Sequence, residues 1–181
     1  MNKKNHVVLG GLVLVLLTCI IIISFGVGNM RAKIAINNFS KQVESMNFND
    51  FTLTVYYVDP ITLLTLYPLD VNTLIKTYGE QKIVVDGSIL EEHVDLLKQI
   101  KNAKLKPVWH KMYTDARIYY IFEVAGKKVF DVVMWGSNDD IDVEALLVNG
   151  AAIKVEDVFF DVIMPFLPDD VVKDLEDYFS S

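Results

Sequence analysis

The first pattern along the chain is a long interval with no polar rhythm. From Val7 to Gly28 it reads VVLGGLVLVLLTCIIIISFGVG, 22 residues without a charge. As a helix this stretch would extend about 33 Å, enough to cross a bilayer's hydrocarbon core of roughly 30 Å. It predicts a transmembrane helix over 7–28, behind a short basic leader (residues 1–6) that carries Lys3 and Lys4. A cleaved signal peptide is the rival, but its apolar region spans only about 7–15 residues before a small-residue site. Neither Gly26-Val27-Gly28 nor the region before Ala32 makes a good site. Leu16-Leu17-Thr18-Cys19 imitates a lipobox, yet Ile20 to Ile23 stay apolar where a lipoprotein should turn polar. Basic residues stand on both sides, with Arg31 and Lys33 after the run, so their count barely orients it. A short leader, one long helix and a large following domain form the pattern of a signal-anchor. That predicts the amino terminus inside and an extracytoplasmic domain.

A helical rhythm follows. Ala32, Ile36, Phe39, Val43 and Met46 recur at three- and four-residue steps, which predicts a helix continuing out of the bilayer as a juxtamembrane stalk over 29–47. Phe51, Leu53, Val55 and Tyr57 then alternate with Thr52, Thr54 and Tyr56, the two-residue period of a half-buried strand, so the folded domain is expected over 48–181. Asp70 precedes a short helix that Gly79 should end, and Lys82 to Val85 form a small strand. Ser88 and Glu91 have the spacing of a capping box for a helix to about Asn102, with Leu90, Val94, Leu97 and Ile100 on one stripe. Arg117 to Val124 and Lys127 to Trp135 read as a hairpin through Ala125-Gly126. Whether its loop has two or three residues decides whether Glu123 and Asp131 share a face, and the sequence leaves that open. A second hairpin turns at Asn149-Gly150. Two closing helices are expected, from Glu156 to about Met164 and from Asp169, the second burying Val172, Leu175 and Phe179. The sum is an α+β fold: a transmembrane helix, then one mostly antiparallel sheet of about six strands with helices packed on one face.

Composition narrows the function. The net charge is −7, and the chain after residue 28 carries −9, which argues against a nucleic-acid partner because phosphate binding needs a cationic face. The single cysteine, Cys19, lies in the apolar run, so the domain can hold no internal disulfide, cysteine-ligated zinc or catalytic thiol. Lysine outnumbers arginine 15 to 2, a sign of AT-rich coding. Asp115-Ala116-Arg117, Tyr119-Tyr120-x-Phe122-Glu123, Val133-Met134-Trp135-Gly136, Val148-Asn149-Gly150 and Pro165-Phe166-Leu167-Pro168 together resemble an uncharacterised domain of membrane-anchored proteins from Firmicutes, over about residues 50 to 180. The resemblance implies a compartment, the envelope of a Gram-positive bacterium, and no activity.

Candidate chemistry is sparse. Asn138, Asp139, Asp140, Asp142 and Glu144 could supply oxygens to calcium, but Val143 stands where an EF-hand loop needs glycine and Asn149 where it needs a bidentate carboxylate. His6, His93 and His110 do not form a zinc spacing, and the nine glycines form no phosphate loop. Ser137 has no base that the sequence identifies. No metal, cofactor or catalytic residue is therefore assigned. Asp115, Glu123 and Asp131 flank the main hairpin and could serve as paired carboxylates. Arg117 beside Asp115 reads first as a salt bridge at the sheet end. The elimination favours a binding module for an envelope protein partner, with Trp109, Arg117 and Trp135 as the contact residues because Trp and Arg dominate interface energetics. Two alternatives stand: an envelope hydrolase acting on glycan or peptide through carboxylates, and a regulator or sensor of a neighbouring membrane enzyme.

Overall fold

Every stretch with a two-residue period becomes a strand. A computed structural model describes the backbone of residues 3–45, 48–58, 69–107, 116–135, 145–154 and 158–173. Within those stretches the side chains of 3–26 other than Val13, Val15 and Leu16, and those of 106–107, 135, 145–146 and 154, fall outside the description. The strands are β1 (Phe51–Tyr57), β2 (Ile83–Asp86), β3 (Lys106–Pro107), β4 (Ala116–Val124), β5 (Lys127–Trp135), β6 (Ala145–Val148) and β7 (Ala151–Lys154). All pair antiparallel in one sheet of order β2-β1-β4-β5-β6-β7-β3. Six are the expected strands, and β3 adds two residues at one edge.

Both hairpins close with two-residue loops. Ala125 and Gly126 sit at φ 49° and 73°, Asn149 and Gly150 at 46° and 75°, the positive dihedrals of type I′ turns. The β4–β5 register also slips between Phe122 and Glu123: Phe122 faces Phe130, but Glu123 faces Lys128. Val129 is therefore the extra residue of a β-bulge. The strand face that carries Asp131 thereby gains Lys128, which simple alternation would have placed on the other side.

One face of the sheet holds the main core. Phe51, Leu53, Val55, Ile118, Tyr120, Phe122, Phe130, Val132 and Ile153 project from it and are buried. The principal element laid over them is α1 (Lys3–Ser45), which contributes Ala32, Ala35, Ile36, Phe39 and Val43. Phe39 is 0% exposed, and its ring centroid stands 4.7 Å from that of Phe122 and 6.1 Å from that of Phe51. Ser40 also points inward, and its hydroxyl donates to the Ile36 carbonyl at 2.8 Å, so its polarity is met inside the helix. The segment expected as a juxtamembrane stalk over 29–47 thus packs into the domain core through residues 32 to 43. Its periodic stripe marked a buried face, and the domain's own sheet covers it. At the carboxyl end of α1, Lys101 donates to Glu44 at 2.7 Å and holds that carboxyl below the usual range.

The capping box does not form. The helix begins two residues earlier, as α3 (Gly87–Glu92) with Asp86 at its N-cap, and its first residue is a glycine where the chain passes so close to Phe48 that a Cβ would stand 1.6 Å from the Phe48 carbonyl oxygen. His93 then interrupts the expected single helix, and α4 (Val94–Gln99) resumes after it. Leu90, Leu97 and Ile100 are nonetheless buried on the expected stripe. Near the end of the chain α5 (Val158–Asp161) stops before the expected Met164, and Tyr120 fastens it by donating to the Phe159 carbonyl at 3.0 Å. Val172 packs against the core, while Leu175 and Phe179 lie outside the described residues.

Helices on one face only was also an incorrect expectation. α2 (Val71–Tyr78) lies on the opposite face, where Leu74 packs with Val58, Leu69, Ala116, Tyr119 and Val133 in a second apolar cluster. Asp70 caps this helix, accepting from the Thr73 amide at 2.7 Å, and that bond holds its carboxyl below the usual range. Gly79 stays in the right-handed helical region and hands the chain to a 3-10 turn. At the other end of the molecule the backbone is helical through 7–28. Among the described residues no helix is long and apolar enough to cross a membrane, and most of the side chains of that stretch fall outside the description.

Candidate functional site

The second face of the sheet carries the domain's one polar cluster with a buried centre among the described residues. Register decides its membership. Ile121 stands opposite Asp131, and Glu123 follows Ile121 by two residues, so Glu123 and Asp131 share this face. Tyr119 and Tyr56 are also on it, their rings stacked with centroids 6.1 Å apart.

Asp131 is the centre and is 8% exposed. The Tyr119 hydroxyl and the Lys128 ammonium both donate to its Oδ2 at 3.1 Å. Its backbone is clamped as well: the Asp131 amide donates to Asn149 Oδ1, and the Asn149 amide donates to the Asp131 carbonyl, each at 2.9 Å. Asn149 therefore serves the turn and the site together. The remaining carboxylate oxygen, Oδ1, is buried without a hydrogen-bond partner among the described residues. A buried acceptor in that condition costs about 1–3 kcal/mol in desolvation.

The cluster's acid–base behaviour follows from its packing. Burial pushes the Tyr119 phenol well above its ordinary range, and the negative charge of Asp131 raises it further. Tyr119 thus stays protonated and acts as a donor, and a phenolate base at neutral pH is excluded. Lys128 neutralises part of the charge from the exposed side of the cluster. The arrangement encloses the carboxylate beneath Tyr119 and Lys128, with Val84, Lys128 and Ala152 exposed on the same face.

Of the expected contact residues, only Arg117 has its side chain among those described. Arg117 lies in β4, half-buried, and its carbonyl accepts from the Val58 amide at 2.9 Å. Trp135 ends β5 opposite Ala116, but its side chain is outside the description. Trp109 lies outside the described residues, as do Asp115, His110, Ser137 and the acidic loop 138–144. His93 is no ligand in waiting: its ring stands 5.0 Å from that of Phe166, and Nδ1 lies 3.2 Å from the Ile89 carbonyl oxygen. Among the described residues no group of three or more metal-ligating side chains occurs. Glu123 and Asp131 were legible as candidate carboxylates, but the parts played by Tyr119, Lys128 and Asn149 were not. One signal was present: Asp131 is the only charge in the apolar run Val129 to Trp135.

No family model, curated protein or solved structure matches the chain.

Proposed function

We propose that the protein is a single-pass envelope protein of a Gram-positive bacterium, anchored by residues 7–28 with its amino terminus inside. Its extracytoplasmic domain binds another envelope protein and catalyses no reaction. The resemblance to membrane-anchored proteins of Firmicutes supports the compartment, and the uncharged 22-residue run supports the anchor. The observation that carries the binding reading is Asp131. Buried Asp131 holds the exposed Lys128 ammonium in place on this sheet face, and that fixed charge beside exposed Val84 and Ala152 suits contact with a partner. The neighbours of Asp131 suit it less to proton transfer, since Tyr119 is held protonated.

A second reading has its own support, because Glu123 and Asp131 share a face and a hydrolase of glycan or peptide needs two carboxylates. The third reading, regulation of a neighbouring membrane enzyme, is a form of the first in which the partner's activity changes. The test uses the tagged full-length chain, recovered from detergent-solubilised envelope beside an Asp131→Asn variant and a variant with Trp109, Arg117 and Trp135 all changed to Ala. The binding reading expects one protein retained by the parent chain and lost from a folded Asp131→Asn variant. Equal recovery by all three chains overturns it. Turnover of envelope glycan or peptide that disappears in Glu123→Gln would put the hydrolase in its place.

A further inference from the structure

Two observations on α1, made on opposite sides of the helix, bear on where the domain stands relative to the membrane. On the inner side Ala32 is 0% exposed, so the folded body already encloses the helix there. Ala32 is four residues beyond Gly28, which at 1.5 Å per residue is about 6 Å. The polar headgroup layer on each side of a bilayer is about 5–8 Å thick, so the body begins within that layer.

The outer side agrees. Val27, Met30 and Ile34 fall on one stripe of the helix, turned away from the stripe of Ala32, Ile36, Phe39 and Val43. Met30 is 61% exposed and Ile34 52%, large apolar side chains that no other element among the described residues covers. Beyond Ile34 the outward positions turn polar, with Asn37, Asn38 and Lys41 all exposed. The change falls at about 9 Å past Gly28, close to the outer edge of the headgroup layer. Arg31 and Lys33, both exposed, stand at the same level, where long basic side chains lie along apolar surface and place their charge among phosphates.

We infer that the domain is seated directly on the bilayer, with Met30 and Ile34 at the headgroup and acyl boundary and Arg31 and Lys33 against lipid phosphates. The proposal rests on the anchor reading and adds the lipid surface as the occupant of this helix face. A second copy of the chain is the competing occupant. Lipid is favoured because the exposed stripe is continuous with the apolar run and ends at the depth where a bilayer ends.

The experiment uses the full-length chain with Cys19→Ser and one new cysteine, Met30→Cys, Ile34→Cys or Lys41→Cys, each carrying an environment-sensitive fluorophore. The chain is reconstituted in vesicles of phosphatidylcholine and phosphatidylglycerol. All three positions are exposed, so the labels leave the core undisturbed. Labels at 30 and 34 should lose fluorescence to a nitroxide carried on the lipid and resist aqueous iodide, while the label at 41 does the reverse. A label at 34 quenched by iodide alone overturns the proposal, as does one shielded from both quenchers and cross-linked to a second copy. Release of the chain from the vesicles by alkaline carbonate would instead remove the anchor reading, and this proposal with it.

Discussion

Phe39 of α1 stacks on Phe130 of β5, their ring centroids 4.6 Å apart and their planes inclined by 24°. Phe39 lies eleven residues beyond the apolar run and Phe130 sits mid-strand in the sheet, so a single continuous helix belongs both to the proposed anchor and to the domain core. A stalk would transmit nothing between the two. A shared helix fixes the orientation of the domain relative to its own anchor.

Truncation of that contact measures how fully α1 is built into the domain. Phe39→Ala should destabilise the domain by about 3–5 kcal/mol, as a large-to-small change in a closed core does. Ile34→Ala, on the outer face of the same helix, should change stability by no more than about 0.5 kcal/mol. Denaturant midpoints of the full chain in micelles read both. A free stalk would make the two variants equal.

The two hairpins offer an internal comparison. Both hold positive φ at both loop positions, but one uses Asn-Gly and the other Ala-Gly. Ala125 bears the clash between Cβ and the adjoining backbone that left-handed conformations impose, and asparagine tolerates it better. Ala125→Asn should therefore raise stability by about 1 kcal/mol. An unchanged or lowered thermal midpoint would show that the loop is not strained.

The polar cluster makes stability depend on alkaline pH. The folded chain holds the Tyr119 proton more tightly than the unfolded chain, chiefly because the phenol is buried and secondly because Asp131 is beside it. Below the unfolded phenol's pKa of about 10 both states are protonated and the contribution is complete. Above it the unfolded chain ionises first, and stability falls as pH rises toward the folded value. Tyr119→Phe should flatten the fall between pH 9 and 11 in a pH series of denaturation midpoints (limits of the order set by the ordinary phenol value). Tyr120, fully enclosed and shifted the same way by burial, will keep part of the slope. Identical slopes in parent and variant would count against a protonated Tyr119 at the site.

How much of this was legible in the sequence depends on whether a residue's partner is local. The strands were readable because alternation is a property of the segment itself, and Asn149-Gly150 because a type I′ turn needs only its own two residues. The stripe of Ala32, Ile36, Phe39 and Val43 was readable as a helix leaving the bilayer, but a helical period carries no information about what covers its apolar side. Ser88 and Glu91 had the right spacing for a cap, but the helix has Asp86 at its N-cap, and its first residue, Gly87, lies against Phe48, nearly forty residues away in the sequence. The site shows the same division. Glu123 and Asp131 were visible as charges in an apolar hairpin, whereas the bulge at Val129 that turns Lys128 toward Asp131 is a matter of register. The second role of Asn149 depends on β5 and β6 being neighbours in the sheet.

The most direct test of the account is the topology of the full chain in its membrane. The account predicts that the protein stays with the membrane through alkaline carbonate extraction, and that protease added outside intact protoplasts digests the carboxyl-terminal domain while sparing the leader. Release by carbonate, or a domain protected until the membrane is opened, would contradict it.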